Sequence, residues 1–84
     1  MLQNKRFPQS VKFTDDEIIV VFDDGTSVGN PLSWFPWLHN ATSKQRENYE
    51  LFPFSVDWEE LDDGIDIEGM LRGIKPRYPQ VINE

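Results

Sequence analysis

Seven carboxylates lie between positions 57 and 68, and carboxylate oxygens are the ligands that Ca²⁺ prefers. Within this stretch, Gly64 could serve as the central glycine of an EF-hand loop that begins at Glu59. That alignment places Leu61 and Met70 at the third and twelfth positions, where the loop requires oxygen ligands. The EF-hand pattern therefore fails. We predict no metal site here and favour a solvated loop with a helix cap, with a looser divalent-cation site as the alternative.

Side chains for nucleophilic or acid–base catalysis are scarce. The chain has no cysteine, and its one histidine, His39, has no serine or carboxylate placed by a known motif to pair with it. The sequence also lacks a glycine-rich phosphate loop, a zinc-ligand spacing and a dinucleotide-binding fingerprint. We therefore predict that the protein is not an enzyme and uses no cofactor.

The segment 31–38 is unusually rich in aromatic side chains. Such side chains either fill a core or anchor a contact with another protein. On a helix, Leu32 and Phe35 fall on one side while Trp34 and Trp37 fall on another, so both sides cannot face one thin core. We expect at least one of the two tryptophans to be partly exposed, and both core packing and partner contact stay open for them.

The charge distribution limits the classes of partner. The chain of 84 residues has a net charge of −7, and the segment 47–71 holds nine carboxylates without a lysine or arginine. Nucleic-acid binding depends on basic side chains that displace counterions from phosphates, so we expect no direct binding of DNA or RNA. A basic protein partner is compatible with this surface, although acidic side chains can also serve solubility alone. No apolar run approaches the ~20 residues of a membrane span, which favours a cytoplasmic protein.

The first third of the chain has the pattern of an antiparallel meander. Residues 8–13 alternate between apolar and polar types, and residues 17–22 form a β-branched run typical of a central strand. Gly25 can adopt the positive φ that a tight hairpin needs, so a third strand is expected at 26–29.

Short helices and a fourth strand are predicted next. Asn30 is a candidate helix cap, and Pro36 should divide the aromatic segment into two short helical turns. A capping box that begins at Thr42 predicts a helix at 43–50. Alternation over 52–58 predicts a fourth strand with one buried face, formed by Phe52, Phe54, Val56 and Trp58.

A last helix is predicted at 67–72, with Asp66 as its cap and Gly73 at its end. The expected class is α+β: a small antiparallel meander plus a fourth strand, with two to three short helices packed on one face. The expected organisation is one domain over 1–73 and an extended or disordered tail over 74–84, because this tail has two prolines and no periodicity.

The sequence resembles a small bacterial family known as domain of unknown function 2442 over about residues 11–73. The resemblance is carried by several blocks in the family's order: Asp24-Gly25, Pro31-Leu32-Ser33-Trp34-Phe35-Pro36-x-Leu38, Asn40-Ala41-Thr42, Gln45-Arg46, Trp58-x-x-Leu61-Asp62, Ile65 and Ile67-Glu68-Gly69-x-Leu71. It implies an α+β fold, found in stand-alone proteins or fused to a helix-turn-helix domain. Some similar proteins are encoded beside another small protein in what looks like a toxin–antitoxin arrangement.

The chain departs from that family's pattern at several positions. Trp37 stands where a basic residue is more usual, and Tyr49 stands where tryptophan is often found. Asp57 stands where histidine is frequent, and Gly64 stands where an acidic residue is usual. The resemblance implies no established activity.

The residues and the resemblance together predict a non-enzymatic module that binds a partner protein. It would be the antitoxin-like or regulatory member of a two-protein operon, and it could form a homodimer. The candidate partner-binding residues are Trp34, Trp37, His39 and Arg46. The alternative is a domain that binds a small ligand or a divalent metal ion.

Overall fold

The first third of the chain forms the antiparallel meander that the sequence predicts. The computed structural model describes residues 6–77. Its first sheet consists of β1 (Pro8–Phe13), β2 (Glu17–Phe22) and β3 (Ser27–Pro31). β2 is the central strand and pairs antiparallel with both neighbours, as its apolar run indicates. Alternate side chains of β2, those of Ile18, Val20 and Phe22, are buried.

Local hydrogen bonds set the hairpin between β2 and β3. Gly25 has a φ of 90°, as predicted, and its N–H donates to the carbonyl of Phe22 over 3.0 Å. The hydroxyl of Thr26 donates to the carboxylate of Asp24 over 2.6 Å, and this bond holds the pKa of Asp24 below its ordinary value. The third strand begins one residue later than expected and extends to Pro31.

Two short helical turns follow, as the position of Pro36 predicts. A 3₁₀ turn at Leu32–Trp34 is separated from α1 (Pro36–His39) by Phe35, whose φ of −125° and ψ of 78° are not helical. The expectation that Asn30 caps this region is wrong. Pro31 holds the capping position without a side-chain hydrogen bond, and Asn30 lies buried in β3.

Helix α2 (Ser43–Glu47) starts with the predicted capping box. Thr42 Oγ1 accepts the N–H of Gln45 over 3.0 Å, and Gln45 Oε1 accepts the N–H of Thr42 over 2.9 Å. The helix ends three residues earlier than expected because Glu50–Leu51 pairs as a strand.

A second three-stranded antiparallel sheet occupies the later part of the chain. It consists of β4 (Glu50–Leu51), β5 (Ser55–Trp58) and β6 (Asp63–Asp66), in that order. The sequence predicted only β5, and as a longer strand. A 3₁₀ turn at Glu59–Leu61 and the left-handed φ of 56° at Asp62 return the chain into β6. Aspartate is rare in strands, which is why β6 was predicted as an acidic turn.

The predicted buried face of the fourth strand is correct only in its second half. Val56 and Trp58 are fully buried, but Phe52 is 41% and Phe54 79% exposed. Both phenylalanines lie in the connection between β4 and β5. Phe52 closes this hairpin through backbone hydrogen bonds with Ser55, and the alternating burial of β5 does not extend to either side chain.

Helix α3 (Ile67–Arg72) matches its prediction at both ends. Asp66 Oδ2 accepts the N–H of Gly69 over 2.9 Å, and Gly73 adopts a φ of 67° just beyond the helix. Residues 74–77 have no regular secondary structure, and the predicted tail from position 78 onward lies outside the described residues.

Both sheets contribute to one hydrophobic core. Its buried members are Val11, Ile18, Val20, Phe22, Leu32, Phe35, Leu38, Val56, Trp58, Ile65, Ile67 and Met70. The hydroxyl of Tyr49 accepts the N–H of Val11 over 3.2 Å, which ties the segment before β4 to β1. The longest helix described within residues 6–77 has six residues, and no helix there has the length and apolar character needed to cross a bilayer.

Candidate partner-binding surfaces

The two tryptophans of the aromatic segment are half-buried and pack against the core. The ring of Trp37 meets the ring of Trp58 edge-on, with centroids 5.6 Å apart, and meets Phe35 in the same manner at 6.4 Å. Edge-to-face contacts of this kind stabilise a fold beyond the area that they bury. The structure thus gives Trp37 a packing role.

The side chain of Arg46 donates hydrogen bonds to the carbonyls at the end of α1. Its Nε donates to the carbonyl of Leu38 over 3.1 Å, and its Nη2 donates to the carbonyl of His39 over 2.8 Å. The last carbonyls of a helix have no partner within the helix, so a charged donor stabilises them. The guanidinium also lies 5.4 Å from the centroid of the Phe13 ring. Arg46 therefore joins α2 to α1 and to β1.

The carbonyl of Arg46 completes this arrangement, since it accepts the indole N–H of Trp58 over 3.0 Å. His39 is exposed, and its link to Arg46 runs through its backbone rather than its imidazole. The structure brings Trp37 and Arg46 to the same core residue, Trp58. Trp34 is partly buried and also packs against the core.

An apolar cleft that the sequence did not predict lies beside the exposed Phe54. We call it the Phe54 groove; it has a volume of about 420 Å³ and is lined by Arg6, Phe7, Phe22, Pro53, Phe54, Ile67, Glu68, Leu71 and Arg72. Phe7, Phe54 and Leu71 are 44%, 79% and 42% exposed. The available signal was Pro53, because a proline inside a strand pattern argues against a paired strand.

The charges at the Phe54 groove nearly balance. Arg6 lies over the ring of Phe22, 5.0 Å from its centroid, and donates to Thr26 Oγ1 over 3.2 Å. Arg72 Nε lies 3.6 Å from a carboxylate oxygen of Glu68 on the same helix. Two arginines and one glutamate therefore line a cleft whose floor is apolar.

A second cleft, which we call the Asn30 pocket, lies where β3, β6 and α3 meet. It has a volume of about 340 Å³ and is lined by Asn30, Phe35, Asp63, Gly64, Ile65, Asp66, Gly69, Met70, Ile74 and Pro76. Asn30 is 4% exposed. Its Nδ2 donates to the carbonyls of Gly29 and Met70, over 2.9 and 3.4 Å.

The other amide atom of Asn30 is unusual. Within residues 6–77, Oδ1 is a buried side-chain acceptor without a hydrogen-bond partner. Leaving such an acceptor unpaired costs about 1–3 kcal/mol. No group of three or more metal-ligating side chains comes together within the same part of the chain.

The pattern of the family described as "Protein of unknown function (DUF2442)" matches residues 8–76. The chain belongs to this family. The match confirms the resemblance seen in the sequence and extends it by a few residues at each end. Among curated proteins, a search gives no match.

Two solved structures share the fold of this family member. One is the crystal structure of a protein of unknown function from Rhodospirillum rubrum, with a TM-score of 0.72 and 20% identity, covering 88% of this chain and 94% of the other. The second is the solution structure of an uncharacterised protein from Chromobacterium violaceum, with a TM-score of 0.69 and 19% identity, covering 84% and 69%. At these identities the likeness is one of fold.

Two positions at which the sequence is expected to depart from the family's pattern lie opposite each other in this member. Asp57 of β5 and Gly64 of β6 are direct cross-strand partners. A Cβ at position 64 would collide with Oδ1 of Asp57 and would approach the carbonyl of Val56 to 3.1 Å. Glycine at 64 therefore gives the carboxylate of Asp57 its space, and an acidic side chain there would also place two like charges side by side.

We expect Gly64→Ala to lower the free energy of unfolding by about 1–2 kcal/mol, because the added methyl group overpacks the strand pair. Asp57→Ala in the same background should recover part of this loss, since it removes the colliding carboxylate while the contact with the Val56 carbonyl stays. Urea denaturation of the two single variants and the double variant measures the coupling. Strictly additive losses would contradict the proposed contact.

Proposed function

We propose that the protein is a non-enzymatic interaction module that receives an apolar segment of a basic partner protein in the Phe54 groove. The observation that carries this proposal is the exposure of Phe54, 79%, beside the exposed side chains of Phe7 and Leu71. Burying such side chains in a complex removes apolar surface from water, and aromatic residues of this kind are the usual anchors of interfaces.

Charge supports a basic partner. The net charge of −7 attracts a positively charged protein over a distance of about a Debye length, which raises the rate of encounter. The near balance of charge inside the groove means that its own contribution to affinity comes mainly from apolar contact. The rate of association with the partner should therefore fall at higher salt, while the rate of dissociation should change less.

The resemblance to proteins encoded beside a second small protein supports a more specific role. In this role the protein is the antitoxin-like or regulatory member of a two-protein operon, and the adjacent gene product is the partner.

Phe54→Ser is expected to abolish co-purification with the adjacent gene product, because it removes the most exposed wall of the groove. Phe52→Ser is the matched control: Phe52 is also exposed, at 41%, and it does not line the groove. Both variants should keep a stability close to that of the wild type. Phe54 is already mostly exposed in the folded protein, so unfolding exposes little more of its surface, and Phe52 lies outside the core.

Co-expression followed by affinity purification and calorimetry measures this difference. A complex that survives Phe54→Ser with unchanged affinity would exclude the groove as the docking site. Failure of the wild-type protein to bind the neighbouring gene product at micromolar concentration would remove the operon-partner role.

A further inference from the structure

We propose that the Asn30 pocket binds a primary ammonium group carried on an apolar stem. This site is separate from the Phe54 groove, because no residue lines both cavities. The proposal therefore does not depend on the partner protein.

The unpaired oxygen of Asn30 determines what the ligand must bring. Both partners of Nδ2 are carbonyls, which only accept hydrogen bonds, so the amide is held with its nitrogen towards Gly29 and Met70. Oδ1 then has to face the remaining direction, where it finds no donor among residues 6–77. A ligand that satisfies this oxygen must supply an N–H or O–H group.

The charge of the pocket selects a cation among such donors. Asp63 and Asp66 line it, and each uses one carboxylate oxygen to accept a backbone N–H, from Gly64 at 2.8 Å and from Gly69 at 2.9 Å. No lysine or arginine is among the lining residues. Two carboxylates with spare acceptor capacity line the same pocket as the asparagine with the unpaired oxygen, and these three acceptors match the three donors of an ammonium group.

The rest of the wall explains the apolar stem. Phe35, Ile65 and Met70 are buried and line the pocket, so a short alkyl chain would lie against side chains that already exclude water. Oδ1 itself is covered in this structure, and a ligand must displace part of the wall to reach it. Ile74 lines the pocket just after α3 and is 53% exposed, so its side chain gives up little packing when it moves.

The experiment is a nuclear magnetic resonance titration of the ¹⁵N-labelled protein with n-butylammonium chloride in the millimolar range. We expect saturable shifts of the Asn30 side-chain amide and of the Gly64 and Gly69 backbone amides. The uncharged 1-butanol, of similar length, should give no saturable shift at these positions. A parallel titration with Nα-acetyl-lysine N-methylamide distinguishes a protein-borne lysine from a free amine, and either source is consistent with the site.

Asp63→Asn and Asp62→Asn form a matched pair of variants. The asparagine introduced at position 63 would keep an oxygen for the N–H of Gly64, and asparagine tolerates the left-handed φ of 56° at position 62, so both variants should fold. Asp62 does not line the pocket. We expect Asp63→Asn to weaken butylammonium binding about three- to tenfold, while Asp62→Asn changes it less than about twofold.

Two results would overturn the proposal. One is the absence of a saturable shift at the three amides in the wild-type protein. The other is equal weakening by both variants, which would mean that the cation only senses the general acidity of the surface. Because Phe54→Ser leaves this pocket intact, a failure here is independent of a failure at the groove.

Discussion

Trp58→Ala is expected to lower the free energy of unfolding by about 3–5 kcal/mol, because it removes a large side chain from the centre of the core. Trp58 is completely buried, and its ring contacts those of Trp37 and Tyr49 at centroid distances of 5.6 and 6.3 Å. Its indole N–H also donates to the carbonyl of Arg46. The substitution leaves a cavity, breaks two aromatic contacts and removes one partly buried hydrogen bond.

A small domain has a total stability of about 5–15 kcal/mol, so this single change should consume much of it. Trp34→Ala is the matched control, because it makes the same chemical change at a half-buried tryptophan at the edge of the core. Trp58→Phe keeps most of the ring and should fall between the two. Urea denaturation followed by far-ultraviolet circular dichroism measures all three, and equal losses for Trp58→Ala and Trp34→Ala would contradict the central position of Trp58.

Arg46→Ala is expected to cost about 2 kcal/mol of stability, because two charge-assisted hydrogen bonds to carbonyls of α1 are lost together with the contact to Phe13. Arg46→Lys should recover only part of this stability, since one ammonium group does not reproduce the forked geometry of a guanidinium. Chemical denaturation measures these changes.

Lys44→Ala is the matched control for Arg46. It removes the same charge from the same helix at an exposed position, so its effect on stability should stay below about 0.5 kcal/mol. If Arg46→Ala left stability unchanged and weakened only the complex with the partner protein, Arg46 would be a partner contact, as the sequence predicted, and the structural role would be wrong.

The elements that the sequence predicted correctly are those with local physical causes. The turn at Gly25, the capping box of Thr42 and Gln45, and the limits of α3 each depend on residues no more than a few positions apart. The break before Pro36 is also local, because the proline ring restricts the residue before it. The family was likewise predictable, since its blocks lie in a recognisable order along the chain.

The errors share a different cause. β4 has only two residues, and β6 is formed by Asp63–Asp66, so neither has the apolar alternation by which a strand is recognised. Both exist because β5 offers them backbone hydrogen bonds. Helix α2 ends early for the same reason, as Glu50 is already paired with Asp57.

The candidate sites also divide into features that residue types predict and features that depend on which distant segments meet. The sequence selected Trp34, Trp37, His39 and Arg46 for their residue types, and the structure adds core packing for Trp37 and a helix-end contact for Arg46. The surfaces that carry the proposals were not predicted. The Phe54 groove needs the residues before β1, the end of β2 and α3 to meet the segment before β5, and the Asn30 pocket needs β3, β6 and α3 to meet.

By itself, the sequence determined the α+β class, the meander, the family and the absence of an EF-hand pattern, because each follows from residue types and short spacings. Only the tertiary structure decided that Phe54 is exposed, that Asn30 is buried with one unpaired oxygen, and that Asp57 faces Gly64. Exposure and pairing depend on which distant segments meet, and that is settled by the packing of two sheets around one core rather than by any local pattern.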